Sequence, residues 1–284
     1  MVAATVLFLV RHGDRFDYGA GKAAWKDRCK RQRIEPSDPP LSALGHAQAR
    51  EVASRLAKEA PSIQHLLVSP YLRALQTAQP LAHLTSLPLC VDQALAEAHQ
   101  KPAAILAGTA TRAAYLPEIS ESYQPIMPTV VVAESGAEPG VEPRLEHLRR
   151  MLYLARELSA ERFRGQSIAC FTHAARCANC AHRIEWEKDA VLRPFSASPS
   201  ILRFIEPTRP QPTARCDLRH PHVCSIALVA ALVGSPTLEA AGKLAPCGVV
   251  KLVHDDAGWR VVEQGHDNRC PPCTGALVLT STHI

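Results

Sequence analysis

The stretch TVLFLVRHGDR at residues 5–15 decides how this chain folds. Its first six residues form a short run of β-branched and apolar side chains, which predicts a strand buried on both faces of a sheet. A polar and reactive segment, Arg11-His12-Gly13-Asp14-Arg15, follows the run without a spacer. Ligands bind beyond the carboxyl ends of the strands in open α/β sheets, so this segment is the first candidate for a functional site.

Strand signals recur along the chain and alternate with helix signals. Apolar runs predict further strands at residues 63–68, 89–91 and 167–172, and a closing hairpin at residues 248–254 and 259–262. Strands that alternate with helices imply right-handed crossover connections. We therefore expect an α/β fold, a three-layer α/β/α sandwich with a mostly parallel central sheet.

Capping residues and apolar periodicity predict the helices. Ser42 is a good N-cap for a helix that runs to about residue 60. Ser69 and Pro70 predict the start of a second helix that runs to about residue 84. An amphipathic helix is predicted over residues 143–160, with one apolar face that carries Leu145, Leu148, Leu152 and Ala155.

Length, composition and charge exclude several classes of protein. With 284 residues, of which 46% are apolar and 21% charged, the chain suits one large α/β domain over residues 1–284 and is too apolar to be disordered throughout. No run approaches the roughly 18–20 apolar residues of a membrane span, and residues 1–10 lack the basic region of a signal peptide. The net charge of +5 is too small to indicate a nucleic-acid-binding surface. We expect a cytoplasmic protein with no membrane or nucleic-acid partner.

The cysteines raise the question of a metal site. Four of the ten cysteines form two pairs with Cys-x-x-Cys spacing, Cys177/Cys180 and Cys270/Cys273, which suits zinc or redox chemistry. The two pairs lie far beyond the usual separation within a zinc finger or ribbon. We therefore expect reduced, unligated thiols and no metal or other cofactor.

Reactive side chains follow several of the predicted strands. Beside the Arg11–Arg15 segment, Ser69 precedes Arg73 after the second strand, and His173 follows the strand at 167–172. The carboxyl ends of parallel strands meet at one edge of a sheet, so these side chains should converge. Arginine offers a planar fork of donors that matches phosphate oxygens, and histidine can attack phosphorus and carry a phosphoryl group. The predicted ligand is a tetrahedral phosphate dianion.

Five short motifs follow one another along the chain. They are RHG at 11–13, PLSxxGxxQA at 40–49, SPxxRxxQTA at 69–78, LAE at 95–97 and THAA at 172–175. In type and order these motifs resemble the histidine phosphatase superfamily, which has a phosphoglycerate mutase-like fold. The resemblance covers residues 5–175 and resumes over residues 225–265.

The resemblance implies a role for each matching residue. His12 would be the nucleophile that becomes phosphohistidine, and Glu97 would act as general acid and then as general base. Arg11, Arg73 and His173 would bind the phosphoryl oxygens and stabilise the transition state. No metal is implied, because the arginines supply the positive charge.

Departures from the family's mutases indicate which reaction to expect. Phosphoglycerate mutases have a Ser-x-Trp-Asn stretch just after Arg-His-Gly, whereas this chain has RFDY at 15–18, and AHQK stands at 98–101 in place of an aromatic, glycine-rich segment. Arg15 resembles an additional phosphate-binding arginine of the Sts-like branch of protein-tyrosine and ecdysteroid-phosphate phosphatases. We expect a phosphatase that acts on a phosphorylated small molecule or a phosphoprotein. A mutase-like phosphotransferase and a catalytically silent interaction module remain the alternatives.

Two regions fall outside the family pattern. Residues 100–142 are expected to form an irregular cap region, and together with residues 16–38 this cap is expected to set specificity. The helix that the resemblance implies after the second histidine is interrupted, since joining residue 175 to residue 225 restores one continuous apolar helix. Residues 176–224 therefore look like a poorly ordered insertion, from a lineage-specific loop or a gene-model error. A small metal-binding loop is a third interpretation, with Cys177, Cys180, Cys216, His220, His222 and Cys224 as ligands.

Overall fold

A computed structural model describes residues 3–34, 36–97, 112–128, 130, 142, 144–173, 224–233 and 244–264. The strands in these residues are β1 (Thr5–Arg11), β2 (His65–Val68), β3 (Leu89–Val91), β4 (Ser167–Thr172), β5 (Val249–Asp255) and β6 (Gly258–Gln264). The helices are α1 (Gly21–Gln32), α2 (Ala43–Leu56), α3 (Leu72–Thr85), α4 (Arg144–Leu158) and α5 (Cys224–Val233). All the strands predicted from the sequence are confirmed to within about two residues at each end.

The strands form one mixed sheet in the order β3-β2-β4-β1-β5-β6. The pairs β3-β2, β2-β4 and β4-β1 are parallel, while β5 runs antiparallel to both β1 and β6. The prediction of a mostly parallel sheet is confirmed, and the antiparallel part is the predicted hairpin. Because β1 lies inside the sheet, between β4 and β5, its carboxyl end has a neighbouring strand on each side.

Two apolar cores cover the two faces of the sheet, as alternation along β1 requires. Leu7 and Leu9 pack into one core with side chains of α4 and α5. Phe8 and Val10 pack into the other core with side chains of α2 and α3. The predicted three-layer α/β/α arrangement is confirmed.

The helix boundaries correct the sequence analysis in several places. Helix α3 begins at Leu72 with Tyr71 as N-cap, so Ser69 and Pro70 lie before the helix and Ser69 does not cap it. Helix α2 ends at Leu56, four residues before the predicted end, although its predicted cap is correct, since the Ser42 side chain accepts from the Gly45 amide at 3.0 Å.

The buried face of helix α4 differs in part from the predicted one. Leu148 and Ala155 are buried as predicted, but Leu152 is only half-buried. Met151 and Leu154 complete the buried face instead. The predicted face is therefore confirmed for Leu148 and Ala155 and only partly for Leu152, because the apolar side chains of this helix occupy more than one stripe; the burial of Leu145 lies outside what the structure describes.

Several expectations fall partly or wholly on residues that are not described. Of the predicted cap at 100–142, residues 112–128, 130 and 142 are described and are largely irregular. Residues 176–223, and both Cys-x-x-Cys pairs, lie outside the described residues. Helix α5, which the interrupted-helix argument predicts at residues 225–234, is present and buries Leu228 and Val229. Among the helices that are described, none is long and apolar enough to cross a membrane.

Candidate active site

The site is built around the carboxyl end of β1. The His12 amide donates to the carbonyl of Thr172 at 3.0 Å, and the His12 carbonyl accepts from the Cys247 amide at 3.3 Å. The His12 side chain is inside the protein, with 3% of the residue exposed. Because the chains on both sides hold its backbone, His12 has one fixed position at the sheet edge.

Two glycines allow the chain after His12 to approach helix α2 closely. A Cβ atom on Gly13 would lie 2.8 Å from the carbonyl oxygen of Gly45, and a Cβ atom on Gly45 would lie 2.2 Å from that of Asp14. Real Cβ atoms do not come so close to backbone atoms. The Gly13 amide also donates to Thr77 Oγ1 of α3 at 3.0 Å. The two motifs that contain these glycines are therefore packed backbone against backbone.

The imidazole of His12 is held in the form that a nucleophile requires. Its Nδ1 lies 2.8 Å from the Gly13 carbonyl oxygen, which can only accept, so Nδ1 carries the hydrogen. Burial, and then the positive charges of Arg73 and Arg11, lower the pKa of His12 well below its usual value, against the Gly13 hydrogen bond and Glu97, which raise it. The ring is therefore neutral near pH 7, and the lone pair stands on Nε2.

His173 lies beside His12, as the convergence of the strand ends predicts. The centroids of the two rings are 5.2 Å apart. His173 Nε2 is 2.8 Å from Ser69 Oγ, and the ring meets Tyr71 edge-on at 4.9 Å. Burial and the charge of Arg73 lower the pKa of His173 well below its usual value, with smaller contributions from its remaining neighbours. Two neutral imidazoles thus line the site.

Arg73 and Glu97 form a buried ion pair at the same edge. Arg73 is fully buried, and its Nη2 donates to Glu97 Oε2. Its Nη1 lies 3.7 Å from Asp38 Oδ1, and its guanidinium carbon stands 4.1 Å from the centre of the Tyr71 ring. Glu97 Oε2 is also 3.7 Å from His173 Nδ1. The cation, the carboxylate and the two histidines therefore belong to one cluster.

The other two predicted arginines are bound by neighbouring groups of the protein. Arg11 donates from Nη1 to the Leu244 carbonyl at 2.6 Å. Arg15 forms a two-pronged ion pair with Asp17, at 2.8 Å from Nε and 2.7 Å from Nη2, and lies over the ring of Tyr18. A phosphate oxygen would therefore compete with Asp17 for Arg15.

Sequence reasoning missed some of the residues that shape this cluster. Ser69 was expected at this sheet edge and also as a helix cap, but its specific contact with His173, 2.8 Å from Ser69 Oγ to His173 Nε2, was not predicted. Asp38 lies between Arg73 and Arg112, and its Oδ2 accepts a hydrogen bond from Arg112 Nη2. Asp38 Oδ1 accepts from the Leu72 amide at 2.8 Å. No local signal marks Asp38 or Arg112, because their contacts join segments that are distant in sequence.

The chemistry of the cluster suits a phosphate oxyanion. Two buried neutral imidazoles, one of them with a free lone pair by its tautomer, stand beside a buried guanidinium and a carboxylate. Among the residues that are described, no group of three or more His, Cys, Asp or Glu side chains is placed to hold a metal ion.

Comparisons with known proteins agree with this chemistry. Residues 7–209 match the family model described as "Histidine phosphatase superfamily (branch 1)". Among curated proteins, none matches the sequence of this chain.

Several solved structures are similar to the chain, at identities where the similarity concerns the fold. A putative alpha-ribazole-5'-P phosphatase from Escherichia coli has 15% identity and a TM-score of 0.50, over 92% of this chain and 96% of that one. The mycobacterial glucosyl-3-phosphoglycerate phosphatase has 20% identity and a TM-score of 0.48, over 92% and 98%. The ecdysone phosphate phosphatase of Bombix mori has 18% identity and a TM-score of 0.47, over 99% and 97%.

Proposed function

The chain belongs to the histidine phosphatase superfamily, and we propose that it is a phosphatase that hydrolyses phosphomonoesters through a phosphohistidine on His12. The observation that carries the proposal is the state of the His12 ring. Its Nδ1 hydrogen is committed to the Gly13 carbonyl, and burial with Arg73 lowers its pKa, so Nε2 holds a lone pair at neutral pH. A nucleophile that needs no deprotonation before it attacks suits this reaction.

The first step transfers the phosphoryl group to the protein. The Nε2 lone pair of His12 forms a bond to phosphorus while the bond from phosphorus to the leaving oxygen breaks. Arg73, with Arg11 and His173, binds the phosphoryl oxygens and stabilises the charge that they carry in the transition state. Arg15 contributes in the same way once a phosphate oxygen displaces Asp17.

Glu97 moves the proton in both steps. In the structure its carboxylate is paired with Arg73. A phosphate dianion competes for that guanidinium, and its negative charge beside Glu97 favours the protonated carboxyl group. Glu97 then gives its proton to the leaving oxygen. In the second step it takes a proton from the water that attacks phosphorus, and the electrons of the nitrogen–phosphorus bond return to Nε2.

The remaining parts of the proposal concern the substrate and the place of action. The substrate is a phosphorylated small molecule or a phosphoprotein, the compartment is the cytoplasm, and neither a metal nor another cofactor takes part. A single domain over residues 1–284 carries the site, with residues 16–38 and 100–142 as its cap. Arg15, which follows Arg-His-Gly by one residue, supports a place in the Sts-like branch.

The test is phosphate release from p-nitrophenyl phosphate by the full chain and by His12→Ala. His83→Ala is the matched control, because that side chain is 59% exposed and pairs with Glu118 outside the site. We expect turnover that His12→Ala abolishes and His83→Ala retains, with an acid-labile phosphoenzyme after rapid quenching. Unchanged turnover in His12→Ala contradicts the proposal. Transfer between phosphoglycerates without released phosphate indicates a mutase, and binding of phosphate by an inactive folded chain indicates a silent module.

A further inference from the structure

Glu97 stands at the end of a short segment that is anchored by buried polar groups. Residues Gln93–Leu95 form one turn of 3-10 helix directly after β3. The buried carboxylate of Asp92 accepts from the Ala94 amide at 2.9 Å, from the Ile126 amide at 2.6 Å and from the Tyr123 hydroxyl at 2.8 Å. These bonds fix the first half of the segment.

Arg150 of α4 holds the second half. It is 2% exposed, and its Nη1 donates to the carbonyl oxygens of Ala94 at 2.9 Å and Ala96 at 2.8 Å. Ala96 is the residue directly before Glu97. A single nitrogen atom thus joins the backbone on which Glu97 is mounted to a helix on one face of the sheet.

The rest of the Arg150 guanidinium is fixed from the opposite side. Its Nε donates to Glu142 Oε1 and its Nη2 to Glu142 Oε2, both at 2.7 Å, and Nη2 also contacts His147 Nδ1 at 2.8 Å. Glu142 is buried as well. The planar fork of arginine is satisfied on both edges, so its orientation is determined before any ligand binds.

The buried pair of Arg150 and Glu142 contributes little net stability to the fold, which suggests that it has another role. A buried ion pair is weak evidence for a stabilising role, because removing two charges from water offsets most of their attraction. Here the pair is joined to the carbonyl groups that precede the proposed general acid. A displacement of about 1 Å at a reacting group can cost on the order of 10²-fold in rate.

We infer that Arg150, oriented by Glu142, is a positioning residue that sets the place of the Glu97 carboxyl group for proton transfer to the leaving oxygen. The inference rests on the proposed function, since it needs Glu97 to be the general acid. It assigns Arg150 no contact with the substrate. Loss of the Arg150 hydrogen bonds to the carbonyl groups before Glu97 should therefore slow protonation of the leaving group and leave phosphate binding intact.

The test compares kcat/KM of Arg150→Met for aryl phosphates whose leaving groups differ in basicity. Phenyl phosphate needs protonation of its leaving oxygen, whereas 2,4-dinitrophenyl phosphate scarcely does. We expect Arg150→Met to lose about 10²-fold with phenyl phosphate and less than about 3-fold with 2,4-dinitrophenyl phosphate. The matched control is Arg156→Met, an exposed arginine of the same helix that pairs with Glu157. It should match the wild type on both substrates, as should the inhibition constant of Arg150→Met for inorganic phosphate.

Glu97→Gln is the reference variant for the same substrates. It separates the general-acid role of Glu97 from the positioning role of Arg150. If Glu97→Gln shows the leaving-group dependence and Arg150→Met loses equally on both substrates, the inference is overturned and the proposed function stands. If Glu97→Gln shows no such dependence, the general acid role fails and the inference fails with it.

A second variant keeps the test decisive if Arg150→Met does not fold. In the double variant Glu142→Leu with Arg150→Met no buried charge is left unpaired, and apolar replacements of buried ion pairs are well tolerated. It should show the same selective loss with phenyl phosphate. A double variant with wild-type kcat/KM on phenyl phosphate overturns the inference.

Discussion

Substitution of Gly45 by alanine should damage both the stability and the activity of this protein. An added Cβ would stand 2.2 Å from the Asp14 carbonyl oxygen, whereas carbon and oxygen need roughly 3.2–3.5 Å, so the two backbones must separate by about 1 Å. The same oxygen accepts from the Ser42 amide at 3.0 Å, and this bond would stretch. Overpacking against a rigid backbone costs about 3 kcal/mol, and the better helix propensity of alanine offsets about 1 kcal/mol of that.

The expected result is a decrease of about 2 kcal/mol in the free energy of unfolding and a fall of about 10²-fold in kcat/KM, because the His12 loop moves with Asp14. Urea titration followed by circular dichroism measures the first quantity, and release of p-nitrophenol measures the second. Gly258→Ala, in the β5–β6 hairpin, is the control, since its Cβ would meet nothing within 4 Å although its φ is +99°. It should cost about 1 kcal/mol and leave kcat/KM unchanged. Wild-type kcat/KM in Gly45→Ala would refute the close approach of the two motifs.

Other perturbations of the cluster have equally direct consequences. Ser69→Ala removes the partner of His173 Nε2, 2.8 Å away, and should lower kcat by roughly 10-fold while the protein stays folded; an unchanged kcat would contradict the contact. Asp38→Asn leaves the buried cation of Arg112 without its counter-ion, so urea titration should show a loss of roughly 3 kcal/mol, and a shift below 1 kcal/mol would speak against it. His12 and His173 have lowered pKa values, so the acid limb of kcat/KM should lie below pH 6.5. As the pH falls, these histidines take up protons at a higher pH in the unfolded chain than in the folded protein. The free energy of unfolding should therefore keep its full value above pH 6.5 and decrease below it. A free energy of unfolding that rises towards pH 5.5 would refute buried neutral histidines.

The parts of the fold that follow from local pattern could be predicted from the sequence. The run before Arg11 and the run before His173 are β-branched and apolar enough to predict parallel, fully buried strands, and these two strands pair in register. Parallel strands bring their carboxyl ends to one edge of a sheet, so the sequence alone predicts that His12 and His173 lie together. Their catalytic roles remain a prediction.

Contacts between distant segments could not be predicted in the same way. The sequence predicts that Ser69 and His173 lie at the same sheet edge, but only the packing of β2 beside β4 shows that the Ser69 hydroxyl contacts the His173 ring. Arg150 looks like one more charged residue of a basic, amphipathic helix. Its burial depends on Glu142 and on carbonyl groups more than 50 residues earlier in the chain, which no periodicity encodes.

The position of β1 inside the sheet has a consequence for how the protein opens. The His12 amide is bonded to the end of β4, and its carbonyl group to the chain just before β5. Amide protons of core strands exchange with solvent at free energies that approach the free energy of global unfolding. The backbone at His12, the proposed nucleophile, should therefore open only when the whole fold unfolds. In rising denaturant, the capacity to form a phosphoenzyme should therefore persist until the cooperative unfolding transition.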